Sequence, residues 1–108
     1  MKQLGVQQLH AHCSSSQALL LDVREPWEVE LASIALPGVA AEHIPMGNIP
    51  DRLDDLDPSL SIVCICHHGV RSQQVAAFLE RHGFESVYNL AGGIDAWSVE
   101  VDPTVPRY

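Results

Sequence analysis

The chain has 108 residues, 46% hydrophobic and 19% charged, which fits one globular domain over residues 1–108 and excludes a disordered chain. Its formal net charge is −8, and the six basic residues are scattered. Nucleic acid and anionic membrane are thereby disfavoured as partners, since both call for clustered Lys and Arg.

The first stretch, "MKQLGVQQLHAHCSSS", has no apolar core of a secretory leader, and no apolar run anywhere reaches the ~18 residues of a membrane span. His10 and His12 read as polar positions near a helix. Three cysteines, an odd count without framework spacing, point to a reducing, cytoplasmic setting. "ALLLDV" (Ala18 to Val23) is a continuous apolar run, as expected of a strand buried on both faces. Glu25-Pro26 opens the helix "PWEVELA", where proline suits the first turn. "LPGVAAEHIP" reads as loop plus a short strand around His43 to Pro45, and Asn48 as the cap of a helix "IPDRLDDL".

"SIVCIC" (Ser61 to Cys66) is a second buried strand rich in β-branched residues. A helix follows from about Val70, with Val75, Phe78, Leu79 and His82 on one face and Gly83 ending it. His82 is expected partly buried. "SVYNL" (Ser86 to Leu90) is another strand, Gly92-Gly93 turns into a short helix "IDAW", and residues 98–108 form a surface tail. Strands alternating with helices imply an α/β fold with a central parallel sheet and helices on both faces.

The chemistry concentrates in "CICHHGVRS", residues 64 to 72. Ligands of such sheets bind at strand carboxyl ends, where Cys66 sits. Gly69 permits a tight loop whose N–H groups converge, and the next helix adds its positive end. Both favour an anion at the Cys66 sulfur, and thiolate is the reactive form. The plainer reading makes a cysteine here a small buried hydrophobe; that suits Cys64, inside the strand. A metal is the other reading, through Cys64, Cys66, His67 and His68, or through His10, His12 and Cys13. Neither group has the spacing of a structural zinc site, so no metal is expected.

"LLLDVREPWE", "HIP", "CHHGVRS", "FLERHGF" and "VYNLAGGIDAW" together resemble a single-domain rhodanese, a sulfurtransferase, over roughly residues 3 to 98. The resemblance implies a parallel sheet of about five strands and no cofactor. It implies a persulfide on Cys66 within the active-site loop His67, His68, Gly69, Val70, Arg71 and Ser72. Asp22 and Arg24 match a supporting pair beside the site, and Trp97 reads as core or rim. The implied partners are small sulfur donors and thiol or protein-cysteine acceptors.

Two departures matter. Residues 32–47 are irregular, with Ala35 where a histidine is usual. His67 and His68 stand where thiosulfate-handling members often carry Arg or Lys; histidine titrates near ~6.5 and gives only fractional charge at neutral pH, which leaves both thiosulfate and a persulfide open as the donor. The competing functions are a non-catalytic binding module and a related-fold phosphatase or arsenate reductase.

Overall fold

The computed structural model describes Met1–Tyr108. One all-parallel sheet holds β1 Lys2–Gly5, β2 Ala18–Asp22, β3 Ala40–His43, β4 Ser61–Ile65 and β5 Val87–Ala91, in the order β1-β5-β4-β2-β3. Four helices surround it: α1 Leu9–Ser15, α2 Pro26–Leu31, α3 Val70–Arg81 and α4 Gly93–Glu100. This is the expected α/β architecture.

Every residue of central β4 is buried. A strand's side chains alternate between faces. Ile62 and Cys64, with Cys66 just past the strand, enter one core with Val75, Ala76 and Leu79 of α3. Val63 and Ile65 enter the other with Leu9 of α1 and Ile94 and Trp97 of α4. With no polar face to present, β4 reads as a continuous apolar run. From β2 the chain leaves toward edge strand β3, and from β4 toward β5 on the other side. Loops that diverge from neighbouring parallel strands leave a crevice between them. The residues after β2 and β4 line it.

Several sequence expectations are corrected. No strand is expected before Ala18, yet β1 pairs with β5 from Lys2↔Tyr88 to Gly5↔Ala91. It is a short edge strand whose only buried residue is Leu4, so no apolar pattern marks it. The strand expected around His43 to Pro45 lies earlier, pairing Leu19↔Ala40 through Asp22↔His43. Pro45 has no N–H for a ladder. Asn48 caps no α-helix: Met46–Asn48 and Pro50–Asp55 are tight 3-10 turns, and Arg52 within the second leaves helical geometry. The hydrogen bonds here close over three residues, as in Arg52 N–H to the Ile49 carbonyl at 3.0 Å, rather than over four.

Helix α4 runs well past "IDAW" to Glu100. His82 is exposed rather than partly buried, its Nδ1 lying 2.8 Å from the Phe78 carbonyl and its ring against Phe78. Residues 98–108 are not simply a surface tail. Ser98 is buried in α4, and the chain beyond it returns to the sheet's carboxyl end, setting Tyr108 against Arg24 and Glu28.

Candidate active site

Strand β4 delivers Cys66, only 1% exposed, to the crevice. The chain then turns through His67, His68 and Gly69 into α3. Gly69 holds φ 96°, a left-handed conformation that glycine adopts without a side-chain penalty. The turn is pinned by α4: Ile94 N–H donates to the Cys66 carbonyl at 2.9 Å and Asp95 N–H to the His67 carbonyl at 3.1 Å. This requires α4 to start against the loop backbone. At Gly93, with φ 62°, a Cβ would stand 2.5 Å from the Cys66 oxygen. The double glycine therefore shapes the cysteine loop from a distance.

Held so, the loop aims three groups at the Cys66 sulfur: Gly69 N at 3.1 Å, Ser72 N at 3.3 Å and Ser72 Oγ at 3.2 Å. The N–H groups belong to the turn and first turn of α3, where the helix dipole is positive. This arrangement favours negative charge on sulfur. Ser72 Oγ also lies 2.5 Å from Asn89 Oδ1, and its hydroxyl has only one proton to share. The buried Asn89 amide is oriented by its other contacts, donating to the Gly69 carbonyl at 3.1 Å and Gln3 Oε1 at 2.9 Å. A carbonyl only accepts, so the NH2 faces Gly69 and Oδ1 faces Ser72. Asn89 thus ties β5 to both the turn and the hydroxyl beside the sulfur.

Arg71 does not turn its guanidinium to the sulfur. Its Nη1 and Nη2 donate to Glu28 Oε1 and Oε2 at 2.7 and 2.8 Å, a bidentate pair with the Glu28 side chain 4% exposed. The Arg71 hydrogen bonds draw the Glu28 carboxyl down to about 2, against the opposing effect of burial. Two further donors hold the carboxylate, Tyr108 Oη at 2.7 Å and Glu25 N at 3.1 Å. The last is the N-terminal hydrogen bond of α2, which begins with Pro26 at its first turn.

Asp22 and Arg24 do come together. Arg24 Nε donates to Asp22 Oδ1 at 2.9 Å and Nη2 to Oδ2 at 2.7 Å. Fully buried, Arg24 also donates to the Ala32 carbonyl at 2.7 Å and Tyr108 Oη at 2.9 Å. It therefore braces the loop and helix carrying Glu28, whose own carbonyl also accepts from Arg24 Nη1 at 3.3 Å. Its neighbours outweigh burial and raise its pKa.

His67 and His68 stack at the mouth, ring centres 3.9 Å apart, and Tyr108 stacks on the other side of His67, also at 3.9 Å. Burial, then the neighbouring His68, lowers the His67 pKa below its ordinary value, which favours the neutral ring. Val70 is exposed at the start of α3. Cys64 is core, where burial pushes its thiol up to about 12, and Trp97 is core as well. On α1, His10 is exposed, while His12 Nε2 meets Ser61 Oγ at 2.8 Å and its ring packs edge-on against Tyr88.

Sequence reasoning missed Glu28, Asn89, Gly93 and Tyr108 as parts of this site. The third residue after Pro26-flanked Glu25 carries a capping signal that could have singled out Glu28; nothing local marks Asn89 or Tyr108.

Residues 5–100 match the family model of the Rhodanese-like domain. The chain is 40% identical, over its whole length, to "Rhodanese-like/PpiC domain-containing protein 12, chloroplastic" of Arabidopsis thaliana, of which it spans only 38%. It is 39% identical over 83% of its length to Bacillus subtilis "Putative sulfurtransferase YtwF", covering 82% of that protein. A crystal structure of a rhodanese-related protein from Thermoplasma volcanium superposes with a TM-score of 0.84, at 28% identity and full coverage of both chains. The chain belongs to the rhodanese-like family.

Proposed function

We propose that the protein is a sulfurtransferase that carries sulfane sulfur on Cys66, in a reducing compartment such as the cytoplasm and without a cofactor. The supporting observation is the convergence of Gly69 N, Ser72 N and Ser72 Oγ on one buried sulfur at the N-terminus of α3. The Cys66 thiolate attacks the outer sulfur of a donor. A Cys66 S–S bond forms as the donor's sulfur bond breaks, and the leaving group takes the electron pair. The terminal sulfur, now anionic, sits among the loop N–H groups, which serve it as an oxyanion hole serves oxygen. A thiol-type or cyanide acceptor then attacks that sulfur and restores Cys66, completing a two-step covalent exchange.

Phosphatase chemistry fits the loop less well. Four residues separate Cys66 from Arg71, and Glu28 holds both terminal nitrogens of the arginine that would have to grip a phosphate. A binding-only module gives no reason for the hydrogen bonds gathered on the sulfur. The test is sulfur transfer from a donor to cyanide. Cys66→Ser should abolish it and Cys13→Ser should leave it; aryl-phosphate turnover lost in Cys66→Ser, with no sulfur transfer, would reverse the assignment.

A further inference from the structure

The electrostatics of the mouth bear on which donor the site accepts, an inference that rests on the sulfurtransferase reading. The chain has six basic residues besides histidine. Three surround the crevice, and each is matched to a carboxylate: Arg71 to Glu28 at 2.7 Å, Arg24 to Asp22 at 2.7 Å, and Arg107 to Asp95 at 2.9 Å. The others are elsewhere: Lys2 opens β1 at the far end of the parallel sheet, Arg52 pairs with Asp55, and Arg81 closes α3 at the end opposite the cysteine loop. No unmatched Lys or Arg faces the sulfur.

The Arg71–Glu28 pair is also hard to open. Glu28 accepts two hydrogen bonds from Arg71, one from Tyr108 Oη and one from Glu25 N. An incoming anion that wanted Arg71 would have to leave this nearly inaccessible carboxylate short of partners, which is costly. We infer that Glu28 is a specificity-determining residue, withholding Arg71 from the pocket so that the loop accepts hydropersulfides of thiols in preference to thiosulfate.

Charge balance shows why. A hydropersulfide brings one negative charge or none: Cys66–S⁻ and R–S–SH give Cys66–S–SH and R–S⁻, with one S–S bond formed and one broken. Thiosulfate brings two: Cys66–S⁻ and S–SO3²⁻ give Cys66–S–S⁻ and SO3²⁻, again with one S–S bond exchanged. Neither needs an oxidant. In the second reaction a dianion must approach a thiolate and leave as a dianion, with only backbone dipoles and one hydroxyl to offset the repulsion. Burial of His67 disfavours its charged form, so that ring does little to offset the repulsion.

The test compares thiosulfate with mercaptoethanol hydropersulfide as donors, reading kcat/KM for sulfur loading of the 108-residue chain. The wild-type protein should favour the hydropersulfide. Glu28→Gln, which frees the Arg71 charge, should raise the thiosulfate-to-hydropersulfide ratio on the order of tenfold, mainly through a lower KM for thiosulfate. Glu28→Gln combined with Arg71→Gln should return the ratio to the wild-type value, which a purely structural role for Glu28 would not produce. If Glu28→Gln does not fold, Tyr108→Phe, which removes one of the carboxylate's donors, should shift the ratio in the same direction by a smaller factor. An unchanged ratio in the folded variant, or a wild-type preference for thiosulfate, overturns the inference. Failure of both donors to load Cys66 would instead remove the sulfurtransferase reading on which it rests.

Discussion

Gly93→Ala tests how strictly the double glycine shapes the cysteine loop. The substitution has two costs. The first is conformational: φ is 62° at Gly93, and an L-residue there costs roughly 1–2 kcal/mol. The second is steric. The new methyl carbon would stand 2.5 Å from the Cys66 carbonyl oxygen and also against the His67 carbonyl. Both are backbone atoms that no rotamer change can move. Relief requires α4 to withdraw from the loop, which breaks the Ile94 N–H and Asp95 N–H hydrogen bonds to those carbonyls. At about 1 kcal/mol each, these add about 2 kcal/mol. The sum is a loss of about 3–4 kcal/mol, a large part of a small domain's stability. Gly83→Ala is the control, because Gly83 has φ 91° but open space around a Cβ, so only the conformational cost applies. Urea unfolding of both variants measures the difference, about 2 kcal/mol in the control's favour. Loading of Cys66 should fall in Gly93→Ala and persist in Gly83→Ala. Equal stability losses in the two variants would refute the claim that α4 is pressed onto the loop.

Ser72→Ala removes the one side-chain donor at the sulfur; single-turnover loading should slow on the order of tenfold, less than for a full oxyanion-hole donor because Asn89 shares the hydroxyl. Glu28 has a folded pKa of about 2, below its ordinary 4.5, so its contribution to stability is complete above pH 4.5 and lost as pH falls toward 2. Comparing urea unfolding of Glu28→Gln with the wild type at several pH values should therefore show a deficit near neutrality that narrows across that window. Tyr108→Phe keeps the stack on His67 but deletes the hydrogen bonds with Arg24 and Glu28. It should cost about 1–2 kcal/mol in the same measurement.

The parts of the fold legible in the sequence are those whose burial leaves a chemical pattern. β2 and β4 are covered on both faces, so their apolar runs announce strands, and the alternation with helices then dictates a parallel sheet. β1 left no such trace, because an edge strand is held mostly by its backbone pairing to β5. Likewise "IPDRLDDL" has helical composition, yet Arg52 leaves helical geometry and the segment closes in tight turns, which no residue of the stretch announces. At the site, Cys66 and its loop were readable because glycine, cysteine and a helix start fall within nine consecutive residues. Arg71 was readable as a residue but not as an interaction, since its partner Glu28 lies on α2. Asn89 and Tyr108 reach the loop only through the order of the strands and the return of the C-terminal segment, neither of which any local spacing encodes.

The central claim is that Cys66 carries sulfur. Intact-mass measurement of the reduced protein before and after exposure to a sulfane donor tests it most directly. The expected result is a gain of one sulfur atom, released by cyanide, absent in Cys66→Ser and retained in Cys13→Ser. A chain that stays at its reduced mass with every donor, or one in which Cys66→Ser still gains the sulfur, would contradict it.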